Sequence, residues 1–277
     1  MTRAERGGDT AAGGAGGRGP VLIVGGGIAG LATAAALARL GHEAHVLERA
    51  PGFAEIGAGI QLAPNATRIL HTLGLLDQVA EGAVFPRRLV LADVRSGATL
   101  ASLDLGGAFR ARYGFPYLVM HRGDLLGILE EACRASGLVT LEACRDVVAV
   151  DEAGPGVRAR CADGSTYRGG ALVGADGLWS QVRPLVSADS PVEAGYVAYR
   201  GTLPWDDVAH EMRPDDVIMW IGPQVHFVRY PIRRGELCNQ VAVFGSAAYR
   251  RGAAEWGTPE ELDQAFRGAC PPVRHGL

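Results

Sequence analysis

Four consecutive apolar residues, Val21-Leu22-Ile23-Val24, stand between Pro20 and a run of three glycines. A short run that is apolar on both faces predicts a strand buried in a parallel sheet. Ile28–Leu40 is rich in Ala and Leu and holds no helix breaker, and Gly41 stands where a helix-closing glycine belongs, so this stretch predicts a helix. Ala44–Glu48 predicts a second strand. Strand, glycine turn, helix and strand thus fall within about thirty residues, the length of a βαβ unit. Asp124–Ser136 predicts a second helix, with Asp124 able to cap its first turn and Gly137 to close it. Strand patterns return at Val139–Glu142, Val147–Asp151, Val157–Cys161 and Ala171–Val173. From Ala198 to Phe244 the pattern is mostly strands ("AYRGTLP", "VIMWIG", "VHFVRYPI", "LCNQVAVF"), which fits antiparallel sheet better than further βαβ units.

The fold class implied is α/β: a Rossmann-like nucleotide-binding domain at 20–85 and 110–185, and a sheet-rich domain at 86–109 and 186–277. Residues 1–19 are Gly- and Ala-rich, lack the apolar middle of a signal peptide and predict a disordered tail. The 277 residues are 48% hydrophobic, enough to bury a substantial core. A net charge of −3 offers no basic field for nucleic acid. No apolar run reaches the roughly 18 residues that span a membrane. The five cysteines form no Cys-x-x-Cys and their number is odd, which predicts free thiols in a reducing cytoplasm and neither a disulfide frame nor a metal site.

The candidate chemistry begins at Gly25, Gly27 and Gly30, a G-x-G-x-x-G at the strand-to-helix turn. Glycine there permits the tight turn, lets the backbone approach a pyrophosphate and lets the helix pack on the strand, while the helix start offers free N–H groups to the anion. Glu48 ends the second strand with 17 residues between it and Gly30, placed to accept hydrogen bonds from a ribose. This pattern predicts a dinucleotide but does not separate FAD from NAD.

Three further segments narrow the choice: "EIGAGIQLAPNA" (Glu55–Ala66), "HRGDLLGIL" (His121–Leu129) and "GADGLWSQVR" (Gly174–Arg183). In this order and spacing the chain resembles the FAD-dependent aromatic hydroxylases, single-component flavoprotein monooxygenases such as p-hydroxybenzoate and salicylate hydroxylases. The likeness runs from Val21 to the end. It is nearest to the 3-hydroxybenzoate 6-hydroxylases, through "DLGGAFRARYGFPYLVMHRGDL", "GYVAYRGTLPWDDV", "HFVRYPIRRGELCNQVAVF" and "EWGTPEELDQAF".

The resemblance implies FAD as cofactor, with Gly25, Gly27 and Gly30 at its pyrophosphate, Glu48 at the adenosine ribose and Arg49 beside the adenosine half. It implies further that Arg122 reaches FAD, that the Val147 backbone faces adenine, and that Asp176-Gly177 serves both FAD and the nicotinamide nucleotide. Asp176 facing a pyrophosphate directly would be repelled, so a ribose hydroxyl, a water or an ordered backbone turn is its expected partner. Arg183 is open to an ion pair with Asp176 or to a cofactor contact, and Arg122 and Val147 to plain surface and core roles.

In "VHFVRYPI" the alternation of a strand puts His226, Val228 and Tyr230 on one face. That face is either an outer sheet face or the wall of a substrate site. The resemblance favours the second, with His226 accepting the proton of a substrate phenol and Tyr230 hydrogen-bonding a carboxylate or phenol oxygen. The activity implied is hydroxylation of a small aromatic acid such as 3-hydroxybenzoate, to gentisate, using NADH or NADPH and O2 through a flavin C4a-hydroperoxide. The alternatives are a flavoprotein oxidoreductase on a non-aromatic or polyketide substrate, or a non-catalytic nucleotide-binding remnant. Dimerisation, common in the family, is left open.

The family continues with a Gly-Asp motif on a strand followed by a helix. Gly8-Asp9 and Gly123-Asp124 lie in other contexts and "ACPPVRHGL" precedes no such stretch. The resemblance therefore implies that the C-terminal part of the fold is missing, with weakened FAD binding and lost activity as the expectation for the chain as written.

Overall fold

The computed structural model describes residues 19–54 and 58–277. The tail expected at 1–19 falls almost wholly outside the described residues, as do Glu55, Ile56 and Gly57 of the second motif. In chain order the elements open with β1 (Val21–Val24), α1 (Ile28–Arg39) and β2 (Ala44–Leu47). Next come β3 (Gly59–Leu62), α2 (Pro64–Leu73), α3 (Leu76–Gly82), β4 (Arg88–Asp93), β5 (Thr99–Asp104), α4 (Gly107–Tyr113), β6 (Leu118–His121) and α5 (Arg122–Ala135). Then follow β7 (Val139–Glu142), β8 (Val147–Ala153), β9 (Gly156–Cys161), β10 (Thr166–Gly169) and β11 (Ala171–Gly174). The chain ends with β12 (Tyr196–Pro204), β13 (Asp216–Gly222), β14 (Val225–Ile232), β15 (Leu237–Gly245), α6 (Ala247–Arg250), α7 (Pro259–Phe266) and α8 (Pro271–Arg274).

Backbone contacts divide the described residues into two units, those of 19–53 with 132–189 and those of 54–131 with 190–277. In the first, a parallel sheet has the order β11-β1-β2-β7. Its central strand is apolar on both sides because both are covered: Leu22 and Ile23 are fully buried. The antiparallel meander β8-β9-β10 packs on this sheet, with Leu22, Val24, Leu47, Val147, Ala159 and Cys161 as the shared core. Leu31, Ala34 and Ala35 form the buried stripe of α1, which runs beside β1 and β2.

The second unit holds a six-stranded sheet, β12-β15-β14-β13-β4-β5, in which only the β4–β13 pair is parallel. One face buries Trp220, Phe227, Phe244 and Ala242 against Leu262, Phe266, Cys270 and Val273 from the C-terminal helices. The opposite face buries Val217, Val228, Tyr230 and Ile232 with Val119 of β6. Strands β3 and β6 pair antiparallel with each other. The entry to α7 is fixed by Thr258, whose hydroxyl accepts the Glu261 N–H, and by the Glu261 carboxylate, which takes the Gly257 N–H at 2.7 Å.

Two expectations change. The expected boundaries placed 54–85 and 110–131 with the nucleotide-binding part, whereas their backbone contacts group them with the antiparallel sheet, because β6 pairs with β3 and packs on β14. Asp124 does not cap α5. The helix starts two residues earlier at Arg122, whose N–H donates to Ala58 O at 3.0 Å, and Asp124 lies inside the first turn, paired with Arg233 at 2.9 Å. Gly137 takes a positive φ of 67° just past the helix, as a closing glycine does.

Candidate functional site

In the first unit the two glycine-bearing motifs meet through strand pairing. Register aligns Val24 with Gly174, and Ala175 N–H donates to Val24 O at 2.8 Å. Gly25 has φ 103°, and a Cβ there would lie 2.4 Å from Ala175 O and 3.0 Å from Asp176 Cα. The glycine is thus required both by its backbone conformation and by the approach of the Asp-Gly segment. Gly27 precedes α1 in extended conformation, and Gly30 is buried in the first helical turn. The first helical bond runs from Leu31 N–H to Gly27 O, and no side chain caps the start. The N–H groups of Ile28, Ala29 and Gly30 are therefore left at the positive end of the helix dipole.

Glu48 stands at this turn. Its carboxylate accepts the Gly26 N–H at 2.6 Å and the Ala50 N–H at 2.8 Å, which leaves acceptor capacity for a hydroxyl. Arg49 beside it is exposed. The Val147 side chain is 3% exposed and lies in the shared core, so only its backbone is free for another role.

Asp176 is occupied by its own loop. It takes the Ser180 hydroxyl at 2.5 Å, the Gln181 N–H at 2.7 Å and the Val182 N–H at 3.2 Å. These bonds order the backbone of the turn that follows it. Gly177 follows with φ 75°. Arg183 does not pair with Asp176. It pairs with Asp189, six residues on and likewise exposed, which its long side chain reaches across a single turn.

Free N–H groups at an uncapped helix start and a strand-end carboxylate are the donor and acceptor types that a pyrophosphate and a ribose need. The residues fit a dinucleotide on that ground.

In the second unit Arg122 opens α5. Tyr230 lies fully inside, opposite Asn239 on β15, and the face it shares with Val228 is the one turned toward β6. Burial holds its phenol well above the ordinary tyrosine value. Tyr117, just before β6, donates its hydroxyl to Gln61 on β3, and burial pushes its phenol up to about 12. Asn239 Oδ1 takes the Gly59 N–H at 2.5 Å. A Cβ on Gly59 would lie 2.7 Å from the Tyr230 hydroxyl, so β3 passes this close only with glycine there. His226 stands four residues before Tyr230, opposite Ile221 and Val243. It is half-buried, has no hydrogen-bond partner among the described residues, and burial lowers its pKa below the ordinary 6.5.

Gln61, Tyr117 and Asn239 were not singled out by sequence. Gln61 and Tyr117 lay within segments carrying the family likeness, but only the β3–β6 pairing brings them together. Among the described residues no group of three or more His, Cys, Asp and Glu could hold a metal ion, and no helix is long and apolar enough to cross a membrane.

Comparison with known proteins bears on both units. The chain is 40% identical over 247 residues to 3-hydroxybenzoate 6-hydroxylase 1 of Aquipseudomonas alcaligenes, covering 89% of this chain and 62% of that protein. It is 38% identical over 251 residues to 3-amino-4-hydroxybenzoate 2-monooxygenase PtnB3 of Streptomyces platensis, covering 90% of this chain and 62% of that one. Among solved structures, HpxO of Klebsiella pneumoniae complexed with FAD and uric acid matches with a TM-score of 0.77 at 26% identity, over 92% of this chain and 64% of that one. The chain therefore spans less than two thirds of the length of these relatives. The model of the FAD binding domain family matches residues 18–273, and the chain belongs to that family.

Proposed function

We propose that this chain serves an FAD-dependent monooxygenase that hydroxylates a small aromatic acid of the 3-hydroxybenzoate class, with NADH or NADPH and O2 as co-substrates. The observation that carries the reading is the buried face of β14, where Tyr230 packs against Gly59 of β3 beside Gln61 and Tyr117, and His226 shares its side of the strand. The names of the relatives support it, since those at 36–40% identity include three 3-hydroxybenzoate 6-hydroxylases.

Gly25, Gly27 and Gly30 with the start of α1 would hold the FAD pyrophosphate, Glu48 and Arg49 the adenosine half, and Arg122 and the Val147 backbone further parts of the cofactor. Asp176-Gly177 would order the adjoining loop. When bound, FAD supplies hydride acceptance from the nicotinamide and activation of O2 for transfer to the ring.

His226 is neutral near pH 7 because burial lowers its pKa, so it can accept the proton of a substrate phenol. A phenolate is a far better nucleophile than a phenol, which is the reason to place a base there. Tyr230 stays protonated and can donate to a substrate carboxylate or phenol oxygen, while Tyr117, also protonated, gives its hydrogen to Gln61. The buried apolar residues around them keep water from the reacting ring. The reading places the protein in the cytoplasm and is compatible with a homodimer.

The test is NADH and NADPH oxidation by an FAD-loaded protein of the relatives' full length that contains this chain, with 3-hydroxybenzoate, salicylate, p-hydroxybenzoate and 3-amino-4-hydroxybenzoate, and with product identified by chromatography. Gentisate formed from 3-hydroxybenzoate is the expected result. Nicotinamide oxidation without any hydroxylated product overturns the reading.

A further inference from the structure

The strand end that carries Glu48 is held by a neighbouring loop, and that loop is strained. Cys144, between β7 and β8, has φ 56°, the left-handed region that a residue with a side chain disfavours. Its N–H nonetheless donates to Ala50 O at 2.9 Å, and the next N–H, of Arg145, donates to Glu48 O at 2.8 Å. These two bonds fix the backbone on both sides of Arg49. Glu48 in turn fixes the glycine turn through Gly26.

What holds the strained loop is Glu142. Its carboxylate takes Arg145 Nε at 2.8 Å, the Tyr167 hydroxyl at 2.7 Å and lies 2.8 Å from His45 Nε2. The three partners come from the loop itself, from β10 and from β2. Arg145 is also bonded to Asp163 at 3.0 Å. Burial alone would push the Glu142 carboxyl up, but the bonds from Arg145, Tyr167 and His45 outweigh it and hold the group below the ordinary glutamate value. It is therefore an anion with three donors at neutral pH.

We propose that Glu142 is a positioning residue for the nucleotide site: by clamping Arg145 it holds the Cys144–Arg145 backbone in the strained form that fixes Glu48 and Ala50. The inference rests on the reading of the Gly25–Glu48 turn as the nucleotide site. It predicts that the brace acts on the affinity for any ligand with an adenosine half.

The experiment measures FAD and ADP binding by calorimetry, and amide hydrogen exchange, for the parent chain and for Glu142→Ala and Glu142→Gln. Glu142→Ala is expected to raise both dissociation constants about tenfold, a loss near 1.4 kcal/mol. Exchange at Cys144 and Arg145 should quicken while Leu22–Val24 keep their protection, and Glu142→Gln should recover part of the affinity. If Glu142→Ala does not fold, Tyr167→Phe removes a single donor and should show the same local exchange with a smaller loss of affinity. Unchanged affinity in a folded Glu142→Ala, or exchange that quickens equally across β1, overturns the proposal. A parent chain that binds neither FAD nor ADP overturns the nucleotide reading itself, and the proposal with it.

Discussion

The two units build their candidate sites from different materials. In the first, the site is made of backbone: N–H groups at the start of α1, a positive φ at Gly25, and a single carboxylate at the end of β2. In the second, it is made of side chains from separate strands, with Gln61 on β3, Tyr117 before β6, His226 and Tyr230 on β14 and Asn239 on β15. A backbone site needs small residues at fixed spacing, so its signature is local and survives in the sequence. A side-chain site needs strand register, which is a property of the folded sheet. The same difference sets how each should fail when altered. The first should lose stability and cofactor together, because the glycines serve both. The second should lose rate and fit while keeping the cofactor.

The largest effect should come from Gly25→Ala. It combines an unfavourable φ with a contact of 2.4 Å to Ala175 O, and a loss of about 3 kcal/mol in urea unfolding is expected, together with loss of FAD binding. Retained FAD affinity in that variant would break the contrast. His226→Ala should slow hydroxylation about a hundredfold and remove the acid limb of the rate profile, with FAD affinity unchanged in calorimetry. If FAD is lost instead, His226 faces something other than substrate.

Gly59→Ala should cost about 1–3 kcal/mol by crowding Tyr230 and Asn239, read as a lower urea midpoint. A smaller effect is expected from pH. Burial, partly offset by Glu142, lowers the His45 pKa in the fold, so the unfolded chain takes up a proton at the ordinary 6.5 and the fold only below it. Stability should be full above that value and fall as pH drops through the interval, and His45→Gln should flatten the fall. The smallest effect should follow Asp189→Asn. Its ion pair with Arg183 is exposed and screened, so no shift in unfolding midpoint is expected; a clear loss would show that the loop after Asp176 does more than close on itself.

How far the sequence could be read follows the same division. β1 lies where a continuous apolar run placed it, because a central strand of a parallel sheet is covered on both faces and needs no alternation, and β7 and β11 lie within a residue of their strand-like runs. The helix from Ile28 was legible from its composition and from Gly41. The region from 59 to 118 was not. Its strands β3, β4 and β5 carry weak patterns, since every residue of β5 is exposed and β3 holds a single buried residue, Leu62. The Arg183 pairing could not be read either, because two aspartates lie within its reach and only the turn geometry selects Asp189. The side on which residues 54–131 group was likewise invisible, being fixed by the packing of β6 on β14.

By itself, then, the sequence determined the βαβ unit, the glycine turn with Glu48 at its strand end, the family, and the alternation that puts His226 and Tyr230 on one side of a strand. These depend on spacing and side-chain period, which are written in the order of residues. The tertiary structure alone decided that Asp176 is spent on its own loop, that Gly25 is shaped to admit Ala175, that Tyr230 lies on Gly59 beside Gln61 and Tyr117, and that Glu142 gathers three donors. The Asp176 turn is local and follows from loop geometry, while the others join residues far apart in the chain, which the register of paired strands and the packing of the core bring together.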